Sequence, residues 1–355
     1  MARRVLLTGA NGFIGQHILA FFLDAGHSVR SVVRSQAKAD QLAKTFSEFA
    51  SSSQLDFSIV PDMTSPGAFD QALESEPPFE WVVHTASPFN YSKVTSNHDF
   101  LDPAVKGTTE ILQAIKRNAP SVKRLVLTSS MAAVIDFAAP KSTHPAKVYT
   151  EADWNPTSWE TALVTENKNL AYQASKKYAE KAAWDFVAAN PDGFDLAVIN
   201  PPMVFGPLYD AAQFSSPAEL NQSTSNIYNA LLNPALSADS PMPPTGLHLY
   251  VDVRDVARAH LLAAATPAAG GKRFIACGGQ LSFQRIANLL RASLPALSGR
   301  IPRGTPEEAT MPEGSFEASS ELARTVLGLD FRSAEDTIGD LATQLVDIES
   351  RGALS

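Results

Sequence analysis

In Val5-Leu6-Leu7-Thr8-Gly9-Ala10-Asn11-Gly12-Phe13-Ile14-Gly15, three apolar residues run straight into a glycine-rich turn. An apolar pattern of helical period follows, with Ile14, Ile18, Phe21 and Phe22 spaced three and four apart through Ala25. The glycines are spaced G-x-x-G-x-x-G. Gly9 lets the chain turn tightly, Gly12 lets the backbone approach a pyrophosphate, and Gly15 lets the helix pack closely on the strand. The first turn of such a helix offers free N–H groups and the positive end of the helix dipole to a phosphate. Strand, turn and helix in that order predict dinucleotide binding, with Asn11, Phe13 and Ile14 counted beside the three glycines as cofactor contacts.

Outward from this turn the same rhythm continues for 200 residues. Short apolar runs at Val29–Val33, Phe57–Val60, Trp81–Thr85, Leu125–Ser129 and Leu196–Asn200 alternate with helical patterns, the signature of a parallel sheet covered by helices on both faces. The fold class is therefore α/β: a Rossmann-type doubly wound parallel sheet with a smaller, interleaved C-terminal lobe. Residues 1–200 are assigned to the sheet domain, with a return segment at about 247–265. Residues 201–246 and 266–355 are assigned to the lobe, whose first part is rich in proline (Pro234, Pro241, Pro243, Pro244). Ala132–Glu166 reads as one long loop before a helix starting near Asn167, and Val253–Ala265 as a helix. A chain of 355 residues with 45% hydrophobic and 19% charged residues has ordinary globular composition.

The end of the second strand selects the cofactor. An NAD site places a carboxylate there to hold the ribose 2′-hydroxyl. Val32-Val33-Arg34-Ser35-Gln36-Ala37-Lys38 has none, and Arg34 and Lys38, read as four apart at a helix start, can both reach one 2′-phosphate. NADP(H) is the expected cofactor. Asp62 accepts from the adenine amino group or else is a plain helix cap before Ser65. Met63 beside it and Pro201 after the sixth strand complete the expected contacts.

Tyr172-Gln173-Ala174-Ser175-Lys176 puts a phenol and an ammonium on one helical face, after the fifth strand and its long loop. Reducing a carbonyl takes hydride on carbon and a proton on oxygen. A tyrosine of pKa near 10 serves poorly at neutral pH, and a neighbouring ammonium moves it toward the working range. Lys176 can also bond the nicotinamide ribose. Ser129 and Ser130 end the fifth strand, and a hydroxyl there can hold the carbonyl oxygen. The later one, Ser130, is taken as catalytic, with Tyr172 and Lys176.

Together, Gly9/Gly12/Gly15, Ser130 and Tyr172/Lys176 resemble the extended short-chain dehydrogenase/reductases, and within them the dihydroflavonol-4-reductase-like branch. The likeness is greatest to the fungal NADPH-dependent methylglyoxal reductase type of carbonyl reductase. It extends through Arg34-Ser35-Gln36, His84-Thr85-Ala86-Ser87-Pro88-Phe89, Leu127-Thr128-Ser129-Ser130, Trp154-Asn155-Pro156 and Tyr250-Val251-Asp252-Val253-Arg254-Asp255-Val256-Ala257. The resemblance implies that Val204 and Ser223 also touch the cofactor and that Ala86 lies beside it. Many members of the wider superfamily carry an asparagine on the fourth helix that completes a proton relay. The aligned stretch here has Ala104, which leaves the relay beyond Lys176 unassigned.

The expected function is NADPH-dependent reduction of aldehydes and ketones. A sugar-nucleotide epimerase or dehydratase shares the fold, but Ser130 is followed by Met131-Ala132 where a dehydratase needs an acid. From Ala182 to Val253 there is also no Lys or Arg to meet a diphosphate. A non-catalytic NADP sensor would be expected to lack the tyrosine. Phe89, Met131, Phe137, Met203 and Tyr209 are the expected pocket lining, so the substrate is a small uncharged carbonyl compound with an apolar substituent.

The net charge of −8 argues against a nucleic-acid partner. No apolar run is long enough to span a membrane. No metal is expected, and the assembly is a monomer or homodimer. With Cys277 the only cysteine and no secretory leader read at the N-terminus, the cytoplasm is the expected compartment.

Overall fold

A computed structural model describes residues 2–87, 96–214 and 219–352. Seven strands form its main sheet: β1 (Arg4–Thr8), β2 (Ser28–Val33), β3 (Leu55–Ile59), β4 (Trp81–His84), β5 (Arg124–Thr128), β7 (Asp195–Asn200) and β10 (Lys272–Ile275). A two-residue strand, β6 (Val148–Tyr149), lies outside it. All pairings in the main sheet are parallel, in the order β10-β7-β5-β4-β1-β2-β3. The order reverses between β1 and β4, which opens a crevice at their carboxyl ends.

Side chains along each strand alternate between two cores, as a sheet covered on both faces requires. Val5 and Leu7 enter one core with Ile18 and Phe22 of α1 (Phe13–Asp24) and Leu42 of α2 (Gln36–Thr45). Leu6, Val82 and Leu125 enter the other, against Ile111 and Ile115 of α4 (His98–Asn118), which follows the one-turn α3 (Ser47–Ser51). After α5 (Trp159–Val164), α6 (Lys168–Ala188) lies beside α4 and shares that second core through Ala183. Asn167 caps α6, its side chain accepting from the amides of Asn169 and Leu170.

Beyond Asn200 the chain builds a second lobe. β8 (Met203–Phe205), β9 (Leu249–Asp252) and β11 (Gly279–Gln280) make a small sheet. Its core gathers Ile227 of α7 (Gln222–Ile227), Ile286 and Leu290 of α9 (Phe283–Ser293), and Ile338 and Leu341 of α11 (Ala334–Ser350). Two later elements return to the first domain. α8 (Val253–Ala265) packs beside α1, and α10 (Glu321–Leu327) inserts Ala323 and Leu327 into the first core. β10 does the same as a strand, so the stretch after residue 266 serves both lobes.

The segment 132–166 is less open than a single loop. It contains α5 and β6, and β6 pairs in parallel with β12 (Glu317–Ala318). Among the described residues no helix is long and apolar enough to cross a membrane.

Candidate active site

The glycine turn sits at the carboxyl end of β1. Gly9 has φ +73°, and a Cβ built on it would come within 2.8 Å of the Ala86 amide nitrogen. One on Gly15 would lie 2.1 Å from the Gly9 carbonyl oxygen and 2.9 Å from Ala10 Cα. Neither position admits a side chain without moving backbone. Gly12 is different, because its Cβ would meet nothing closer than that same carbonyl at 3.3 Å. Gly12 is also the N-cap of α1, with no side-chain cap and no acid in the first turn, so the helix dipole is left for an outside anion.

A cavity of about 450 Å³ opens over this turn, lined in part by Gly9, Asn11, Gly12, Arg34, Lys38 and Met63. Arg34 precedes the α2 N-cap Ser35, so it stands outside the helix while Lys38 lies in the first turn. Both side chains are exposed and both line the cavity. Ala86 lines it too, its amide donating to Thr8 Oγ1 at 3.2 Å. Asp62 caps a turn. Its carboxylate accepts from the Thr64 amide and hydroxyl and from the Ser65 hydroxyl, which hold it below the usual carboxylate range. Of the expected pair, Met63 lines the cavity.

Val204, Phe13 and Ile14 share one small apolar cluster with Val251 and Val253, where the glycine turn meets the second lobe. Ser223 is buried and its hydroxyl donates to the Val204 carbonyl at 2.5 Å. Pro201 is buried, its carbonyl accepting from the Met131 amide at 2.9 Å.

The two serines at the end of β5 part ways. Ser129 is buried and donates to Glu180 Oε2 at 2.5 Å. Ser130 stays partly exposed and caps a single 3₁₀ turn, its hydroxyl oxygen accepting from the Ala132 amide at 3.1 Å and its proton left to direct elsewhere. On α6 the Lys176 ammonium lies 5.9 Å from the centre of the Tyr172 ring and donates to Ser87 Oγ at 2.9 Å. Burial of that ammonium pulls Lys176 down to about 8. His84, at the end of β4, is buried and bonded to Thr8 Oγ1 at 2.9 Å; burial first, and the Lys176 charge second, push it down to about 3, so it is a neutral imidazole.

The expected pocket lining is dispersed. Met131 is fully buried in a core cluster with Val134, Ile135 and Cys277, so it lines no open pocket. Cys277 is buried with it, and burial pushes its thiol up to about 11. Tyr209 stacks on Phe46, ring centres 4.8 Å apart, and edges His17, on the α1/α2 side of the glycine turn. Met203 packs on the second-lobe core, and Phe137 is exposed beyond the 3₁₀ turn. Phe89 lies outside the described residues.

Sequence reasoning missed Ser87, Asn200 and Glu180. Ser87 stood inside a quoted stretch without a role. Glu180 follows Lys176 by four residues on the same helical face, the one signal that would have drawn attention to it.

Residues 5–278 match the model of the NAD dependent epimerase/dehydratase family. The chain belongs to that family. It is 39% identical over 350 residues to the ketoreductase azaE of Aspergillus niger, covering 98% of both chains. It is 37% identical over 353 residues to the NADPH-dependent methylglyoxal reductase GRE2 of Saccharomyces cerevisiae, covering 98% of this chain and 99% of that one. The crystal structure of yeast methylglyoxal/isovaleraldehyde reductase Gre2 complexed with NADPH superposes with a TM-score of 0.88 at 36% identity, over 98% of this chain and 99% of that one. Likeness at this level extends through the second lobe to the end of the chain, beyond the residues the family model matches.

Proposed function

We propose that this chain is an NADPH-dependent carbonyl reductase, in which Tyr172 protonates the substrate oxygen and Ser130 holds it. The observation that supports the reading is that Lys176, one helical turn from Tyr172 on α6, donates to Ser87, which lines the same cavity as Arg34 and Lys38. NADPH fits that cavity. Gly9 and Gly15 let strand, turn and helix close up, the bare α1 N-terminus meets the pyrophosphate, and Arg34 and Lys38 meet the 2′-phosphate. Bound there, the reduced nicotinamide supplies the hydride.

The chain's own residues handle the oxygen. Ser130 donates its hydroxyl to the carbonyl oxygen, and Tyr172 delivers the proton as charge builds on it. The Lys176 ammonium favours the phenolate that this transfer leaves behind. The likeness to a ketoreductase and to a methylglyoxal reductase supports carbonyl compounds as the substrate class. An uncharged substrate with an apolar arm suits the first part of the second lobe, which carries no cation. No Lys or Arg occurs from Ala182 to Val253. The two flanking cations are engaged, with Lys181 over the Trp154 ring and Arg254 bridging Asp252 and Asp340.

The test is turnover of a panel of neutral aldehydes, α-ketocarbonyls and ketones by the purified chain, followed by NADPH oxidation. Consumption of NADPH with alcohol formed in equal amount is expected, and a panel with no turnover would reject the reading.

A further inference from the structure

The carboxylate of Glu180 has no exposure to solvent and collects donors from four directions. Its Oε1 accepts from Arg273 Nε at 2.6 Å and from Trp184 Nε1 at 3.2 Å. Its Oε2 accepts from Ser129 Oγ at 2.5 Å and Asn200 Nδ2 at 2.8 Å, with a longer contact from the Arg273 guanidinium at 3.4 Å. The guanidinium is fully used: it also donates to the carbonyls of Glu151 and Asp153 and lies 3.8 Å from the centre of the Trp154 ring. A buried ion pair is tolerated only when both partners are satisfied in this way.

What this network joins is specific. Glu180 stands on α6, four residues beyond Lys176 and eight beyond Tyr172, so the three follow one another along nearly the same face. Ser129 immediately precedes Ser130. Asn200 closes β7 and spends a second bond from the same Nδ2 on the Ser130 carbonyl, at 3.2 Å. Arg273 belongs to β10, the edge strand. The helix that carries the phenol and the strand end that carries the serine are therefore tied through one charged group. We infer that Glu180, held by Arg273, is a positioning residue: through Ser129 and Asn200 it fixes Ser130 relative to Tyr172. It touches neither substrate nor cofactor. Catalysis by oriented groups falls steeply with small misplacements, by about a hundredfold for about 1 Å. Softening this tie acts on the oxygen-binding pair and leaves the glycine turn, Arg34 and Lys38 untouched.

This inference rests on the reductase reading of the same site, so its test keeps the two apart. Glu180→Gln and Ser129→Ala are each made in the otherwise unaltered chain and in the Ser130→Ala chain. Each protein is assayed for kcat, for NADPH Kd by fluorescence titration, and for Tm. With Ser130 present, each change should lower kcat about tenfold or more and leave NADPH Kd within about twofold. With Ser130 already replaced, the further loss should shrink to under about twofold, because the group being positioned is gone. Equal losses in both backgrounds would reduce Glu180 to a structural role and overturn the inference. So would a folded Glu180→Gln protein with unchanged kcat. Should Glu180→Gln not fold, Ser129→Ala carries the same comparison, and unchanged kcat there is equally fatal. A Ser130→Ala chain that keeps full activity would instead sink the reading of the site itself.

Discussion

Lys176 brings its ammonium into an enclosed corner of the cleft, and burial pulls it down to about 8. A lysine shifted that way is charged below pH 8 and loses its charge as pH rises through it, two units earlier than an exposed lysine. The charge is what favours the Tyr172 phenolate. The kcat/KM for NADPH-dependent reduction, which reports the free enzyme, should therefore turn down as pH rises through about 8. Lys176→Arg, whose cation keeps its proton beyond pH 12, should move that limb upward in whatever activity remains. A profile flat from pH 7 to 9 would contradict this. Tyr172→Phe keeps the ring and removes the acid, so turnover should fall by about 10²–10⁴-fold while NADPH still binds. Arg34→Asp replaces a 2′-phosphate partner with the carboxylate of an NAD site. Each charge-assisted bond is worth about 1.5–3 kcal/mol, so preference for NADPH over NADH should drop by roughly ten- to a hundredfold in kcat/KM. At this scale the sequence reveals residue types and spacing but not partners. Ser129 and Ser130 read alike, and only the buried carboxylate that claims Ser129 separates them. Asp62 reads equally well as cap or as ligand, and its bonds to Thr64 and Ser65 show the cap without testing the ligand role.

Between neighbouring elements, the glycine turn separates two kinds of requirement. Gly15 is needed for packing: a Cβ there would overlap the Gly9 carbonyl, and α1 would have to move off β1. Overpacking of this kind costs about 1–3 kcal/mol, so Gly15→Ala should lower Tm by several degrees. Gly12 has φ −81° and its Cβ would crowd only the Gly9 carbonyl, at 3.3 Å, so Gly12→Ala should lower Tm less than Gly15→Ala. Its methyl group would face the cavity, and NADPH Kd should rise about tenfold or more from the loss of close backbone approach. Thermal melts with and without NADPH measure both, and a Gly12→Ala protein that binds NADPH normally would refute the assignment. Long elements with a clear period were legible: the helix Val253–Ala265 was read with the bounds it has. β6 and β12, of two residues each, have no period to read, and their pairing joins positions far apart in the chain.

Across the molecule, Arg34 and Lys38 stand at the cofactor end, whereas the stretch from Ala182 to Val253 carries no Lys or Arg. A substrate bearing a phosphate would need a fork of donors that this stretch does not offer. In a matched pair of one neutral carbonyl compound and its phosphate ester, the neutral compound should have the higher kcat/KM at fixed NADPH. The reverse result would reject the neutral-substrate reading. The division into lobes was legible only in outline. A boundary drawn from proline content cannot register that β10 and α10 return to the first domain after the second has begun.

That return has a consequence for how the protein is made. As the chain leaves the ribosome, Glu180 and β7 are synthesised before the partners that complete them. The cation that neutralises Glu180, and the strand that covers the edge of β7, arrive together in Lys272–Ile275, after much of the second lobe has been synthesised. Until then the nascent sheet holds an unpaired acid and an open edge, the features that invite wrong partners and chaperones. The corner around Ser130 is incomplete until β10 is made, so a chain released before Lys272 would lack both the cation of Glu180 and the strand that covers β7.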